Sequence, residues 1–230
     1  MKKSILTILL ITVLSITMLA GCAKKAAQAP SQTNNSTTQN ANSTDSQTAD
    51  SKSGDEDSDG IPDTVEKTYG TNPHYKDTDG DGINDKDDTA PLFIDNPIKE
   101  NSTKTLPIEI KDARVEDNAT ADHLEITMVN NGKEDLSNFD IYYTITDKVD
   151  TAKMEAYYQK LNGLTLKAGE TITLHFDNDI SQPGHFYGNM NGLYSTSVNG
   201  LTFAVQLHSS VYQPLAFNVE KAVGSAEVAD

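Results

Sequence analysis

Leu124-Glu125-Ile126-Thr127-Met128-Val129-Asn130-Asn131-Gly132 reads as a strand running into a turn. On an extended chain Leu124, Ile126 and Met128 leave one face, and Glu125 and Thr127 leave the other. The same period of two returns downstream in Phe139, Ile141, Tyr143 and Ile145. Lys167-Ala168-Gly169-Glu170 then turns the chain into Ile172, Leu174 and Phe176. Leu201, Phe203, Val205 and Leu207 form a further run, and Leu215, Phe217 and Val219 the last. Upstream, residues 108–115 supply one more strand.

Six or seven strands over residues 104–222 predict a mainly β fold, an antiparallel β-sandwich of immunoglobulin-like type. Residues 152–161 depart from the pattern. Met154, Tyr157, Tyr158 and Leu161 stand at helical spacing and predict a short helix across one end of the sandwich. With one cysteine and no tryptophan, the disulfide-and-tryptophan pin of antibody domains is excluded. The stretch from Asn130-Asn131-Gly132 into Phe139 and beyond resembles family 3 carbohydrate-binding modules, without implying particular binding residues.

Ahead of the strands, two aspartate-rich loops match position by position. The first is Asp55-Glu56-Asp57-Ser58-Asp59-Gly60-Ile61-Pro62-Asp63-Thr64-Val65-Glu66. The second is Asp77-Thr78-Asp79-Gly80-Asp81-Gly82-Ile83-Asn84-Asp85-Lys86-Asp87-Asp88. Both place acids at positions 1, 3, 5, 9 and 12, glycine at 6 and isoleucine at 7. That is the spacing by which a chain wraps a Ca²⁺ ion with oxygens alone. Gly60 and Gly82 permit the sharp turn. Ile61 and Ile83 can offer backbone carbonyls and bury their side chains beneath the loops. Glu66 can close the first sphere in bidentate fashion, while the shorter Asp88 must come nearer. Residues 55–88 carry twelve acids against three lysines, a net charge of −9. Packed together without a cation, these carboxylates would repel one another.

No helix can precede the first loop, where Ser51-Lys52-Ser53-Gly54 stands, so the pair is not an EF-hand. A two-turn helix is predicted after Pro62, with Gly70 as its stop. The second loop runs into Thr89-Ala90-Pro91 and has no exit helix. The succession of the first loop, Tyr69-Gly70-Thr71-Asn72-Pro73 and the second loop resembles bacterial thrombospondin type 3 repeats over residues 54–92. The resemblance implies Ca²⁺ ligation by Asp55, Asp57, Asp59, Ile61, Asp63 and Glu66. In the second loop it implies Asp77, Asp79, Asp81, Ile83, Asp85 and Asp88, with position 9 acting directly or through water.

Lys2 and Lys3 precede an apolar run over residues 5–20, which reads as an export signal over residues 1–21. Leu19-Ala20-Gly21-Cys22 resembles the lipobox of bacterial lipoproteins, which implies lipidation at Cys22. The expected location is the extracellular face of the cell membrane, lipid-anchored, in a Gram-positive bacterium. A diacylglyceryl group supplies two chains, enough for stable anchoring. Residues 23–53, rich in Ser, Thr, Asn, Gln and Ala, are predicted to form a disordered tether of roughly 30 Å typical reach. A lone cysteine at the anchor excludes disulfides within the monomer, leaving Ca²⁺ as the staple. A formal net charge of −16 argues against nucleic-acid binding.

His175, Asp177, Asp179 and His185 could bind a transition metal or serve acid–base chemistry. Alternation instead puts His175 and His208 on outer strand faces, and His185 falls in a loop. Because the sequence carries no nucleophile–base motif, the chain is expected not to be an enzyme. Residues 181–197 are rich in Gly, Asn and aromatics. Tyr187 and Tyr194 could stack on sugar rings, or the loop could pack on its own domain. The predicted role is a calcium-ordered surface lipoprotein presenting a binding or adhesion domain for a glycan or protein. The alternatives are a structural envelope spacer and a carbohydrate-binding module.

Overall fold

The computed structural model describes residues 54–116 and 124–223. The predicted signal, Cys22 and the tether lie outside the described residues.

The fold is mainly β. β1 (Ile108–Val115), β2 (Leu124–Asn130), β5 (Thr171–Asp177) and β6 (His185–Tyr187) form one sheet in the order β1-β2-β5-β6. β4 (Met154–Leu166), β3 (Leu136–Asp147), β7 (Leu201–Ser209) and β8 (Leu215–Lys221) form the other, in that order. Neighbours pair antiparallel except β5 and β6, which run parallel. The alternating apolar residues face one core: Ile126, Met128, Leu174 and Phe176 from the first sheet, and Ile141, Ile145, Phe203 and Leu207 from the second. Burying each such side chain contributes about 1.5–3 kcal/mol, so the two sheets are held chiefly by this layer.

Residues 152–161 are not a helix. They open β4, which pairs with β3 through Tyr142↔Tyr158 and Tyr143↔Tyr157. The hairpin turn is fixed by the Asp147 carboxylate, which accepts the amides of Val149 and Asp150 at 2.8 Å each. Period-two alternation is lost here because Glu155, Ala156 and Tyr157 are buried in succession. Ala156 is covered from outside the sheet, donating its amide to Leu92 O and accepting that of Ile94. Pairing across strands has overridden local spacing.

Residues 181–197 also hold more structure than a loop. His185 sits in β6, with His175↔His185 in register, rather than in a loop. A single helical turn, α2 (Leu193–Thr196), comes after it. Before the sheets comes α1 (Asp63–Tyr69), the helix expected after Pro62; it ends at Gly70 in the left-handed region, φ 89°. Residues 93–105 connect this acidic module to β1. They are held at Phe93↔Ala156, at Thr105↔Gln213 and by the Asn96 amide on the Gln206 side chain.

Candidate metal centre

The two acidic loops repeat in three dimensions. Asp57 Oδ1 accepts the Asp59 amide at 3.0 Å, and Asp59 Oδ1 accepts that of Ile61 at 2.5 Å. In the second loop Asp79 Oδ1 accepts the Asp81 amide at 3.1 Å and Asp81 Oδ1 that of Ile83 at 2.7 Å. Position 6 lies in the left-handed region in both, with φ 93° at Gly60 and 95° at Gly82. Position 4 does so as well, with φ 63° at Ser58 and 84° at Gly80. Position 9 laces each loop shut. Asp63 Oδ1 accepts the Glu56 amide at 3.0 Å, and Asp85 Oδ1 accepts the Thr78 amide at 2.8 Å.

Three carboxylate groups result. Asp55, Asp57 and Asp59 bring one oxygen each within 4.8 Å of one another, and so do Asp77, Asp79 and Asp81. The third group takes Asp59 and Glu66 from the first loop and Asp85 from the second. Its members are 7%, 0% and 4% exposed. Among the described residues, Asp57 Oδ2, Asp59 Oδ2 and Glu66 Oε2 are buried without a hydrogen bond. An ionised carboxylate stripped of water and left without a donor is strongly unfavourable. Burial first, then the carboxylates of Asp57, Asp59 and Asp85, push Glu66 up to about 8. Burial likewise pushes Asp79 up to about 7 and Asp85 up to about 6. A hard cation would remove the repulsion and give these oxygens a partner, and an all-oxygen donor set fits such an ion.

Ile83 departs from the burial expected of it, and three of the expected ligands, Asp63, Asp85 and Asp88, lie outside the trios formed by the first three acids of their loops. Asp63 stands outside the three groups, its Oδ1 engaged by the Glu56 amide. Asp88 also stands outside them: residues 84–88 turn back, and its Oδ1 accepts the Ala90 amide at 2.8 Å. Asp85 does both: it closes its own loop through Thr78 and joins Asp59 and Glu66 of the first. Ile61 is buried at 8% exposure as expected, but Ile83 is 46% exposed, because no helix succeeds the second loop to pack over it.

The module is built onto the sheets. Asp79 O accepts the Tyr158 amide of β4 at 2.8 Å, and Asp79 Oδ2 accepts the Phe93 amide at 3.1 Å. Asn189 Nδ2 donates to Gly70 O at 2.7 Å, Asn191 Nδ2 to Thr71 O at 2.6 Å and Asn72 Nδ2 to Gly188 O at 3.1 Å. Tyr187 stacks on Tyr75 with ring centroids 5.0 Å apart. Tyr194 is buried, its hydroxyl donating to Glu116 O. Of the aromatic and amide side chains that could have formed a sugar platform, Asn189 and Tyr194 are thus buried, and Tyr187 and Asn191 are half-buried against the module. Sequence reasoning missed the docking role of Asn72, Asn189 and Asn191. The local signal for Asn189 and Asn191 was the concentration of asparagine and glycine in residues 188–192; Asn72 had none.

No protein-family model and no curated protein matches the chain. Among solved structures, a protein described as ApaA from Bordetella pertussis is similar at 13% identity and TM-score 0.31. The match covers 53% of this chain and 97% of that one. A β-glucosidase from Listeria innocua is similar at 18% identity and TM-score 0.27, covering 52% of this chain. One from Kluyveromyces marxianus is similar at 14% identity and TM-score 0.25, covering 51%. This chain spans 16% and 15% of the length of those two enzymes. At such TM-scores the likeness carries no argument about fold or activity.

Proposed function

We propose that this chain is a non-enzymatic, Ca²⁺-binding lipoprotein anchored through Cys22 on the extracellular face of a bacterial membrane. In this reading residues 54–92 are a short module of the thrombospondin type 3 kind. Calcium fixes that module against an immunoglobulin-like β-sandwich and so sets how the sandwich is presented to a protein or glycan. The observation that carries the proposal is the buried group Asp59, Glu66 and Asp85, in which carboxylates from two loops face one another and Asp59 Oδ2 and Glu66 Oε2 have no donor. Mg²⁺ suits it less, because that ion keeps a small octahedral shell with several waters. One ion at the shared group would tie the first loop to the second, and the second is tied in turn to β4 through Asp79.

Calorimetric titration of the full-length chain with Ca²⁺ tests this. The expected result is uptake of two or more ions, with dissociation constants of about 10⁻⁴–10⁻³ M or tighter, and weaker uptake of Mg²⁺. Absence of uptake at millimolar Ca²⁺ would refute it.

A structural spacer is the second reading. It is favoured by Tyr187, Asn189 and Asn191 being engaged with the module rather than presented to a ligand.

A further inference from the structure

β5 carries His175 and Asp177 two residues apart, so both side chains leave the same face of the strand. β6 pairs with it in parallel register, His175↔His185 and Phe176↔Phe186. This sets the two phenylalanines together, at 5.9 Å between centroids, and the two histidines together. The imidazole rings lie 4.4 Å apart and 9° from parallel. One ligand atom from each of His175, Asp177 and His185 lies within 4.8 Å of the other two; the two histidines are half-buried and Asp177 is buried. Carboxylates already address both rings: Glu125 Oε1 is 3.2 Å from His175 Nδ1, and Asp177 Oδ2 is 2.9 Å from His185 Nδ1. Glu125 is itself buried and held by Arg114.

This is chemistry of a different kind from the loops. Two imidazoles and a carboxylate form a borderline-soft donor set, suited to Zn²⁺, Cu²⁺ or Ni²⁺ rather than Ca²⁺. Strand register, rather than chain proximity, assembles it: His175 and His185 are ten residues apart in sequence and adjacent in space. Carboxylates beside ligand imidazoles orient the rings in metal sites generally. We infer that His175, Asp177 and His185 bind a divalent transition-metal ion, with Glu125 as a positioning residue for His175. For both rings to face one ion, one must tilt out of the stack. His185 can do so because it lies in a three-residue edge strand.

The test uses the full-length chain with its loops saturated with Ca²⁺, and Cu²⁺ as the probe. At one equivalent, electron paramagnetic resonance should show superhyperfine structure from two nitrogens. His175→Ala and His185→Ala should each abolish that two-nitrogen signature, whereas His208→Ala, remote from the group and paired with Asp140, should keep it. Glu66→Gln should lose the shared Ca²⁺ ion yet leave the copper signal unchanged, which separates this site from the calcium reading. Melting curves without copper establish that each variant is folded. Should His175→Ala fail to fold, His185→Gln at the sheet edge replaces it. The proposal is overturned by a copper signal without nitrogen coupling, by one that survives both His175→Ala and His185→Gln, or by one lost in His208→Ala.

Discussion

The first loop ends in Glu66 and the second in Asp88, and the two fare differently. Glu66 lies on α1, so one helical turn swings its carboxylate back beneath Asp59, where it is fully buried. Asp88 has no helix behind it and caps the Ala90 amide instead. The second loop is completed from elsewhere: its Asp85 joins the first loop, and its Asp79 is pinned to β4 and to Phe93. The same twelve-residue pattern therefore serves two purposes. One copy makes a closed acidic pocket, and the other clamps that pocket to the sheet. Matching acids at the ligand positions do not make the copies equivalent, because the segment after each loop, helix or turn, decides where its last acid goes.

The sharpest way to break the comparison is at position 12. Glu66→Gln should remove the shared ion, a loss of about 2.7 kcal/mol of stabilisation when Ca²⁺ stands at a hundred times its dissociation constant. In chelator the same change should raise the melting temperature near pH 7.5, because glutamine is neutral without the proton that Glu66, held up to about 8, must take up on folding. Asp88→Asn should leave the shared ion in place and shift the chelator melting temperature less, since its charge acts on Asp79 and not on Glu66. Melting curves of both variants in Ca²⁺ and in chelator check this, and equal effects would show that the copies are equivalent after all.

The glycines offer a smaller contrast. A Cβ at Gly80 would stand 1.8 Å from Tyr158 O, whereas one at Gly82 would meet nothing within 4 Å. Both have positive φ, so Gly82→Ala should cost about 1 kcal/mol from backbone strain alone. Gly80→Ala should cost that and also about 1 kcal/mol for the lost contact with β4. Denaturant midpoints of the two variants measure the difference.

A further contrast is protonic. Without a cation Glu66, Asp79 and Asp85 are held at about 8, 7 and 6, above the ordinary carboxylate range, with burial as the largest cause. The folded apo-protein thus binds more protons than the unfolded chain in that window, and its stability falls as pH rises from about 4.5 through about 8. Calcium requires the ionised form, so its uptake at pH 6.5 should release protons and be weaker than at pH 8.5. Calorimetry in two buffers of different ionisation enthalpy counts those protons.

Legibility in the sequence divides in the same way, between local and distant causes. β3 and β7 were legible because one face of each is buried and the other less so, which writes a period of two into the chain, and β2 because Glu125 and Thr127 are polar between apolar neighbours, although Glu125 is buried as well. The acids at positions 1, 3 and 5 and Gly60 and Gly82 were legible because loop geometry is a local demand. β4 was not, since Ala156 and Glu155 are covered by the module and by α2, erasing the alternation. The partnership of Asp85 with Glu66 and the docking of Asn189 and Asn191 depend on segments far apart in sequence, and no spacing rule encodes them.

The central claim is that bound calcium holds the module onto the sheet. The most direct measurement is amide hydrogen exchange at Tyr158, whose N–H donates to Asp79 O inside the second loop. The Tyr158 amide should be strongly protected in Ca²⁺ and lose that protection in chelator, while Ile141 and Val205 in the interior strands stay protected in both. Equal protection of Tyr158 with and without Ca²⁺ would contradict it.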